Sequence, residues 1–322
     1  MRGMQGLGAL VAGTMLLLRA AALAPDARQQ PVSPSARESS QALLAEADAH
    51  YGRRASGRIG SRAARLEISE AVALYERAGF DPDSAEARWK LARSLYFLGS
   101  YTGLDERGQR AVFERARQAG EAAIAILVRR RAAAGGFDRR RLDPAGAAEV
   151  FRGDPDSAPS LFWTAVGWGQ WSLASGKLDA ARKGAASRIR DDCRTLIALD
   201  PAFEEGGGYR ILGRLHDQAP RIPFVTGWVS RAEGLRLLRL AVAEAPRNFV
   251  NRQFLAEALE RSGDRAGAVA IERSIAADLP APDHLVEELA IQETARKNLA
   301  SWQTAISRQA SVISRRFPIL PN

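Results

Sequence analysis

From about Gln41 onward, apolar residues recur every three or four positions, which is the spacing of one face of an α-helix. No stretch shows the alternation of apolar and polar residues that a half-buried strand requires. Gly residues and Asp-Pro pairs, such as Asp81-Pro82 and Asp200-Pro201, separate the helical stretches. The pattern therefore predicts an all-α fold of successive antiparallel helix pairs.

One helix pair shows a recognisable repeat. Pro246 and Pro280 lie 34 residues apart, which is the period of a tetratricopeptide repeat (TPR). The intervening positions that match the TPR pattern are Leu255, Ala256, Leu259, Gly263, Asp264 and Ala268. Because such a pair cannot bury its apolar face alone, it implies stacked neighbours. We therefore predict a TPR-like solenoid over residues 41–322, with irregular insertions and a C-terminal capping helix at about 283–313.

Two segments depart from a regular repeat. Residues 132–159 are rich in Gly and Pro and are predicted to be a loop with a short helix near 145–151. Residues 206–224 begin with three glycines ahead of a helical pattern, and their prolines predict an extended stretch over 219–224.

Candidate binding residues lie in an aromatic helix and in the glycine segment. The tryptophans of the first either pack between helices, which we favour, or line a ligand site. In the second, free backbone amides beside Arg210 and Arg214 would suit an anion, but we favour a tight turn that lets helices pack closely. The candidates for ligand or partner binding are Trp163, Trp168, Trp171, Gly206, Gly207, Gly208, Tyr209, Arg210, Arg214 and Phe224.

The sequence contains no catalytic motif that we recognise. His50, His216 and His284 lie in separate segments, and none has a second His or Cys at metal-ligand spacing. HExxH and GxSxG are absent. We predict a non-catalytic protein with no metal and no cofactor. An enzyme that holds an anionic substrate at the glycine segment is the alternative.

The N-terminus has the features of an export signal. Arg2 precedes an apolar stretch over residues 6–18, and small residues follow at 20–24. We predict a signal peptide, or an uncleaved anchor, over 1–24 and a flexible linker over 25–40. Because Cys193 is the one cysteine of the chain, a lipobox cysteine is missing. The expected location is the periplasm, with membrane contact only through an uncleaved N-terminus.

Composition fits a folded domain. The 322 residues are 46% hydrophobic and 26% charged, which is ample material for a core. The formal net charge is +9, and only four of the 46 basic residues are lysines. The arginines are spread among acidic residues and form no basic stripe with stacking aromatics, so we predict no nucleic-acid partner.

Several of these segments together resemble the TatT family, the TPR-containing periplasmic component associated with some bacterial TRAP transporters. The segments that carry the likeness are 161–171, 200–201, 206–215, 219–220, 223–224 and 241–246. The likeness covers roughly residues 40–280, and its most specific part is 206–224, which generic TPRs lack.

The resemblance implies a periplasmic helical protein that can assemble as a trimer. It also implies a partner, the solute-binding protein of a tripartite, ion-driven importer. A general TPR scaffold for envelope assembly, unconnected with transport, is the alternative.

Overall fold

The computed structural model describes residues 34–135 and 142–316. Its α-helices are α1 (Pro34–Gly52), α2 (Arg65–Ala78), α3 (Ala85–Tyr101), α4 (Glu106–Gly135), α5 (Pro144–Phe151), α6 (Ser157–Ser175), α7 (Lys177–Arg182), α8 (Ala185–Leu199), α9 (Phe203–Gln218), α10 (Arg231–Glu244), α11 (Phe249–Ser262), α12 (Arg265–Ala277) and α13 (Leu285–Arg316). Within these ranges the structure contains no strand, only an isolated bridge between Ile59 and Arg62. The predicted all-α helical-repeat fold is confirmed.

The described part of the chain begins inside the predicted linker. The predicted signal peptide over 1–24 lies outside the described residues. Helix α1 begins at Pro34, so a linker that extends to residue 40 is wrong because 34–40 are already helical. Among the helices of the described ranges, none is long and apolar enough to cross a bilayer.

The predicted loop over 132–159 is also much shorter than expected. Helix α4 continues to Gly135, and α6 begins at Ser157. Between them, α5 forms where a short helix was predicted, with Asp143 accepting a hydrogen bond from the amide of Gly146 and Pro144 at its first turn. Residues 136–141 lie outside the described part of the chain.

Helix caps explain why α11 and α12 form the regular pair. The side chain of Asn248 caps α11, and that helix ends at Gly263, whose φ of 96° suits glycine. Asp264 then accepts a hydrogen bond from the amide of Gly267 and starts α12. These local signals are readable from the sequence, which is why this pair was predicted in the correct place.

Helix α13 does more than cap the array. It packs on α11 and α12 at the C-terminal end, where Ala295 is fully buried with Ile275 and Phe249. Its first turn also reaches the early helices, because Val286 is fully buried in a core cluster built mainly from α1–α4 and α6. The last helix of the array therefore packs against the early helices, and the array is closed.

Small residues allow two of the helices to cross closely. A Cβ placed on Gly120 in α4 would lie 2.8 Å from Cα of Thr164 in α6, and a backbone atom cannot move away cheaply. We expect Gly120→Ala to lower the free energy of unfolding, because overpacking costs about 1–3 kcal/mol while the gain in helix propensity is about 1 kcal/mol.

Gly169 in α6 provides the matched control, since a Cβ there would meet nothing within 4 Å. Gly169→Ala should raise stability by up to about 1 kcal/mol. Urea unfolding followed by circular dichroism measures both variants. If Gly120→Ala is as stable as Gly169→Ala, the close crossing of α4 and α6 is wrong.

Candidate functional site

The returning array surrounds a cavity of about 1840 Å³. Its lining residues come from α1, α3, α6 to α11 and the first turn of α13, so early and late helices of the array face the same space. Pockets for drug-sized molecules have volumes of about 300–1,000 Å³. This cavity could hold a larger ligand or a segment of a partner protein.

Aromatic rings form one wall of the cavity. The rings that line it are Tyr51, Tyr96, Phe97, Tyr101, Phe162 and Trp163. The rings of Tyr96 and Trp163 lie 5.8 Å apart between centroids, and the hydroxyls of Tyr96 and Tyr101 are 3.1 Å apart, within hydrogen-bond distance. Burial raises the pKa of both phenols, so they stay protonated and can donate hydrogen bonds. The wall is therefore mainly apolar, with two tyrosine hydroxyls that can form hydrogen bonds.

An ion pair between the turn after α1 and the first turn of α13 closes this part of the cavity. Nη2 of Arg54 lies 2.9 Å from Oε1 of Glu287, and the two side chains are 11% and 17% exposed. Arg54 also donates to the carbonyl of Asp283 and lies over the rings of Tyr51 and Phe97, with Cζ 4.7 and 5.4 Å from their centroids. Among the described residues, the buried Oε2 of Glu287 has no hydrogen-bond partner. Glu287 thus depends on Arg54 for its charge compensation.

A left-handed turn presents two carboxylates at another wall. Glu204, Glu205 and Gly206 have φ values of 49°, 57° and 78°, and the two glutamates are exposed where they line the cavity. Nη1 of Arg210 donates to the carbonyl of Glu204 at 3.1 Å, and Nδ2 of Asn251 donates to that of Glu205 at 2.8 Å. Positive φ is unfavourable for residues other than glycine, so these buried donors hold a strained turn in place.

The strain leads to a prediction with a matched control. We expect Glu204→Gly to stabilise the protein by about 1 kcal/mol, because glycine adopts positive φ without the steric cost of a Cβ. The same substitution at the exposed Glu70, inside α2, should destabilise it by about 1 kcal/mol. Thermal unfolding of each variant measures whether its stability rises or falls. A loss of stability in both variants would show that Glu204 does not adopt the left-handed conformation.

The three glycines of the candidate set serve close packing. A Cβ on Gly207 would lie 2.5 Å from the ring of Phe162, and one on Gly208 would lie 2.8 Å from Ile197. Gly206 would meet the backbone of α10 at 3.2 Å. The interpretation as a close-packed turn is confirmed, and the helix proper begins only at Gly207 because the residues before it are left-handed.

The two candidate arginines pair with protein groups. Arg210 is buried, and its Nη1 lies 2.9 Å from Oδ1 of Asn251; burial lowers the pKa of its guanidinium. Arg214 lies 2.6 Å from a carboxylate oxygen of Glu257 and stacks over Phe254, with Cζ 4.2 Å from the ring centroid. Both line the cavity, but neither converges with the glycine amides on an open anion site.

The candidate tryptophans separate into two roles. Trp168 and Trp171 are in the core, with centroids 5.5 Å apart, and Arg117 lies over Trp168 with Cζ 4.8 Å from its centroid. The packing interpretation is confirmed for these two. Trp163 is 8% exposed and lines the cavity.

The last two candidates lie away from the aromatic wall. Tyr209 is half-buried against the core cluster that contains Trp168. Phe224 is fully exposed, at a φ of 62°, in a run of turns over 223–228. The extended conformation predicted up to residue 224 is therefore wrong, because the chain turns from residue 223.

Sequence reasoning missed most of the cavity. Tyr96, Phe97 and Tyr101 are close together in α3, and that clustering was a usable signal. Nothing in the sequence pairs Arg54 with Glu287, which lie 233 residues apart.

Two titratable side chains that do not line the cavity, His216 and Cys193, are buried. Nδ1 of His216 accepts a hydrogen bond from the amide of Ser230 at 3.1 Å, and burial lowers its pKa. Burial raises the pKa of the Cys193 thiol, which therefore stays protonated. In the part of the chain that the structure describes, no group of His, Cys, Asp and Glu side chains is placed to hold a metal.

No known family model and no curated protein matches this chain. The fold and the cavity define only a general class of protein. It is an all-helical repeat protein in which the last helix packs against the early helices beside a large cavity.

Proposed function

We propose that this protein is a non-catalytic, exported TPR-like scaffold that docks the periplasmic solute-binding protein of a TRAP-type transporter. The cavity is the observation that carries the proposal. It is large and aromatic on one wall, and Arg54 and Arg214, which line it, are each held in an ion pair. Such a surface suits binding of a ligand or a protein segment.

The partner is proposed from the resemblance to the TatT family. Two of the segments that carry that likeness pack against each other, since Gly207 lies against the ring of Phe162 in the aromatic helix. They lead into the turn over 223–228, where Phe224 is fully exposed beside Val225, which lines the cavity. An exposed phenylalanine on a turn at the cavity is a suitable contact for a docking protein.

Co-purification from the periplasm tests the proposal. The wild-type protein and a Phe224→Asn variant would be captured under the same conditions, since asparagine tolerates positive φ. Phe80→Asn is the control because Phe80 is 85% exposed in the turn that follows α2. We expect a TRAP solute-binding protein to be enriched by wild type and Phe80→Asn, and depleted with Phe224→Asn.

If no solute-binding protein is enriched over an untagged control, the proposed docking is wrong. Specific enrichment of envelope-assembly proteins instead would support the alternative of a general scaffold. The trimer implied by the resemblance is part of the same proposal. Light scattering on the purified protein measures it directly, and a monomeric mass would contradict it.

A further inference from the structure

A fully buried carboxylate lies where α12 meets α11 and α13. Glu272 in α12 has no solvent exposure. Its Oε1 accepts hydrogen bonds from Nε2 of Gln253, at 2.9 Å, and from Nδ2 of Asn298 in α13, at 2.7 Å. Its Oε2 is buried, and none of the side chains that the structure describes, which in α13 extend to Trp302, donates a hydrogen bond to it. The carboxylate is therefore only half satisfied.

Its neighbour has the same deficiency. Gln253 in α11 is 1% exposed, and its Nε2 donates to Glu272 and also to Oε1 of Glu257 at 3.1 Å. Its Oε1 is buried and likewise finds no donor among the residues that the structure describes. Two acceptors without donors thus belong to side chains that already touch, and each unsatisfied buried acceptor is costly.

One proton would satisfy both atoms. A carboxylic acid and a primary amide can form two hydrogen bonds at once, N–H to carbonyl and O–H to carbonyl. The first of these bonds is present between Gln253 and Glu272. A proton on Oε2 of Glu272 supplies the second to Oε1 of Gln253.

The surrounding charges favour the protonated form. Burial is the main cause that raises the pKa of Glu272, against the opposing effect of its two hydrogen bonds. The negative charge of Glu257 on α11 raises it further. Glu257 itself is compensated by Arg214 at 2.6 Å and Arg261 at 3.7 Å. The side chain that faces Glu272 from α13 is the neutral amide of Asn298.

We propose that Glu272 is a neutral carboxylic acid in the folded protein, that it donates its proton to Oε1 of Gln253, and that it makes the attachment of α13 sensitive to pH. Helix α13 is the element that closes the array on Arg54, and its bond to Glu272 fastens it to the last repeat. Loss of the proton leaves a buried charge without a cation at this joint, which weakens the attachment.

The sign of the pH dependence follows from linkage. An acid whose pKa is higher in the folded state contributes stability that is fully present below its ordinary pKa. That contribution is lost as pH rises through the folded-state pKa. Stability should therefore fall as the pH rises from the ordinary pKa of glutamic acid through the higher folded-state pKa of Glu272. The first backbone amides to exchange faster with solvent should lie in α13.

Glu272→Gln is a direct mimic of the neutral acid, because the amide keeps both acceptor bonds and adds a donor. Glu293→Gln is the control, since Glu293 is an exposed carboxylate on α13. Melting temperatures of the full chain would be measured from about pH 5 to about pH 8. We expect wild type and Glu293→Gln to lose stability with rising pH relative to Glu272→Gln, and hydrogen exchange in α13 to follow the same order.

Difference infrared spectroscopy provides a readout that does not depend on stability. At a pH just above the ordinary pKa of glutamic acid, subtraction of the Glu272→Gln spectrum from the wild-type spectrum should reveal one protonated carboxyl band. Parallel melting curves for the three proteins, or a difference spectrum without that band, would overturn the proposal.

Discussion

Replacing Arg54 with leucine is expected to lower the free energy of unfolding by about 3 kcal/mol, the lower end of the cost for breaking a buried ion pair. The substitution leaves the carboxylate of Glu287 without a cation in a place where only 17% of the side chain is exposed. It also removes the guanidinium that lies over Tyr51 and Phe97. Chemical unfolding followed by circular dichroism measures the change.

Two further variants identify the cause. Arg54→Leu combined with Glu287→Leu should recover most of the loss, because an apolar pair of similar size replaces a buried ion pair at little cost. Arg53→Leu is the matched control, since Arg53 is half-exposed and its pair with Glu67 is worth at most about 1 kcal/mol. Equal losses for Arg53→Leu and Arg54→Leu would mean that the pair with Glu287 does not hold the chain ends together.

Trp168→Ala should cost about 3–5 kcal/mol, as expected for truncation of a fully packed tryptophan. Trp168 is 2% exposed and touches Trp171 on one side, while Arg117 and Arg188 lie within about 5 Å of its ring centroid. Its removal leaves a void that the neighbouring helices α4 and α8 cannot fill without moving. Thermal and urea unfolding measure the loss.

Trp163→Ala is the comparison, in the same helix and with the same truncation. Because Trp163 already borders the cavity, its removal widens an existing space instead of opening a sealed one, so the loss should be smaller. Losses of equal size would contradict the assignment of Trp163 to the cavity wall and of Trp168 to the core.

Local signals made much of the fold predictable. The turn between α11 and α12 has a glycine at positive φ followed by an aspartate cap, and both features act within a few residues. The loop over 132–159 was misjudged for a related reason. Its glycines and prolines indicated a break over the whole segment, but α4 continues through the three alanines at 132–134 and ends at Gly135. Helix α6 already begins at Ser157, and proline is tolerated at Pro159 because it lies in the first turn of that helix.

The closure of the array could not be predicted in the same way. Whether α13 meets α1–α4 depends on the accumulated curvature of all the helix pairs between them, and no local pattern encodes that sum. Val286 shows the difficulty: its apolar side chain fits any helix face, yet it lies in the core cluster at the opposite end of the chain. Of the candidate binding residues chosen from the sequence, only Trp163, Arg210 and Arg214 line the cavity.

A distance between the chain ends tests the closed arrangement most directly. Nitroxide labels at Arg58 and Glu293 would be used, because both residues are exposed and a Cβ on nearby Gly60 would lie 3.8 Å from Oε1 of Glu293. Cys193 is buried and should stay unlabelled. The closed array predicts strong dipolar broadening of the electron paramagnetic resonance spectrum. A spectrum that equals the sum of the two singly labelled proteins would contradict closure, and with it the cavity as the functional site.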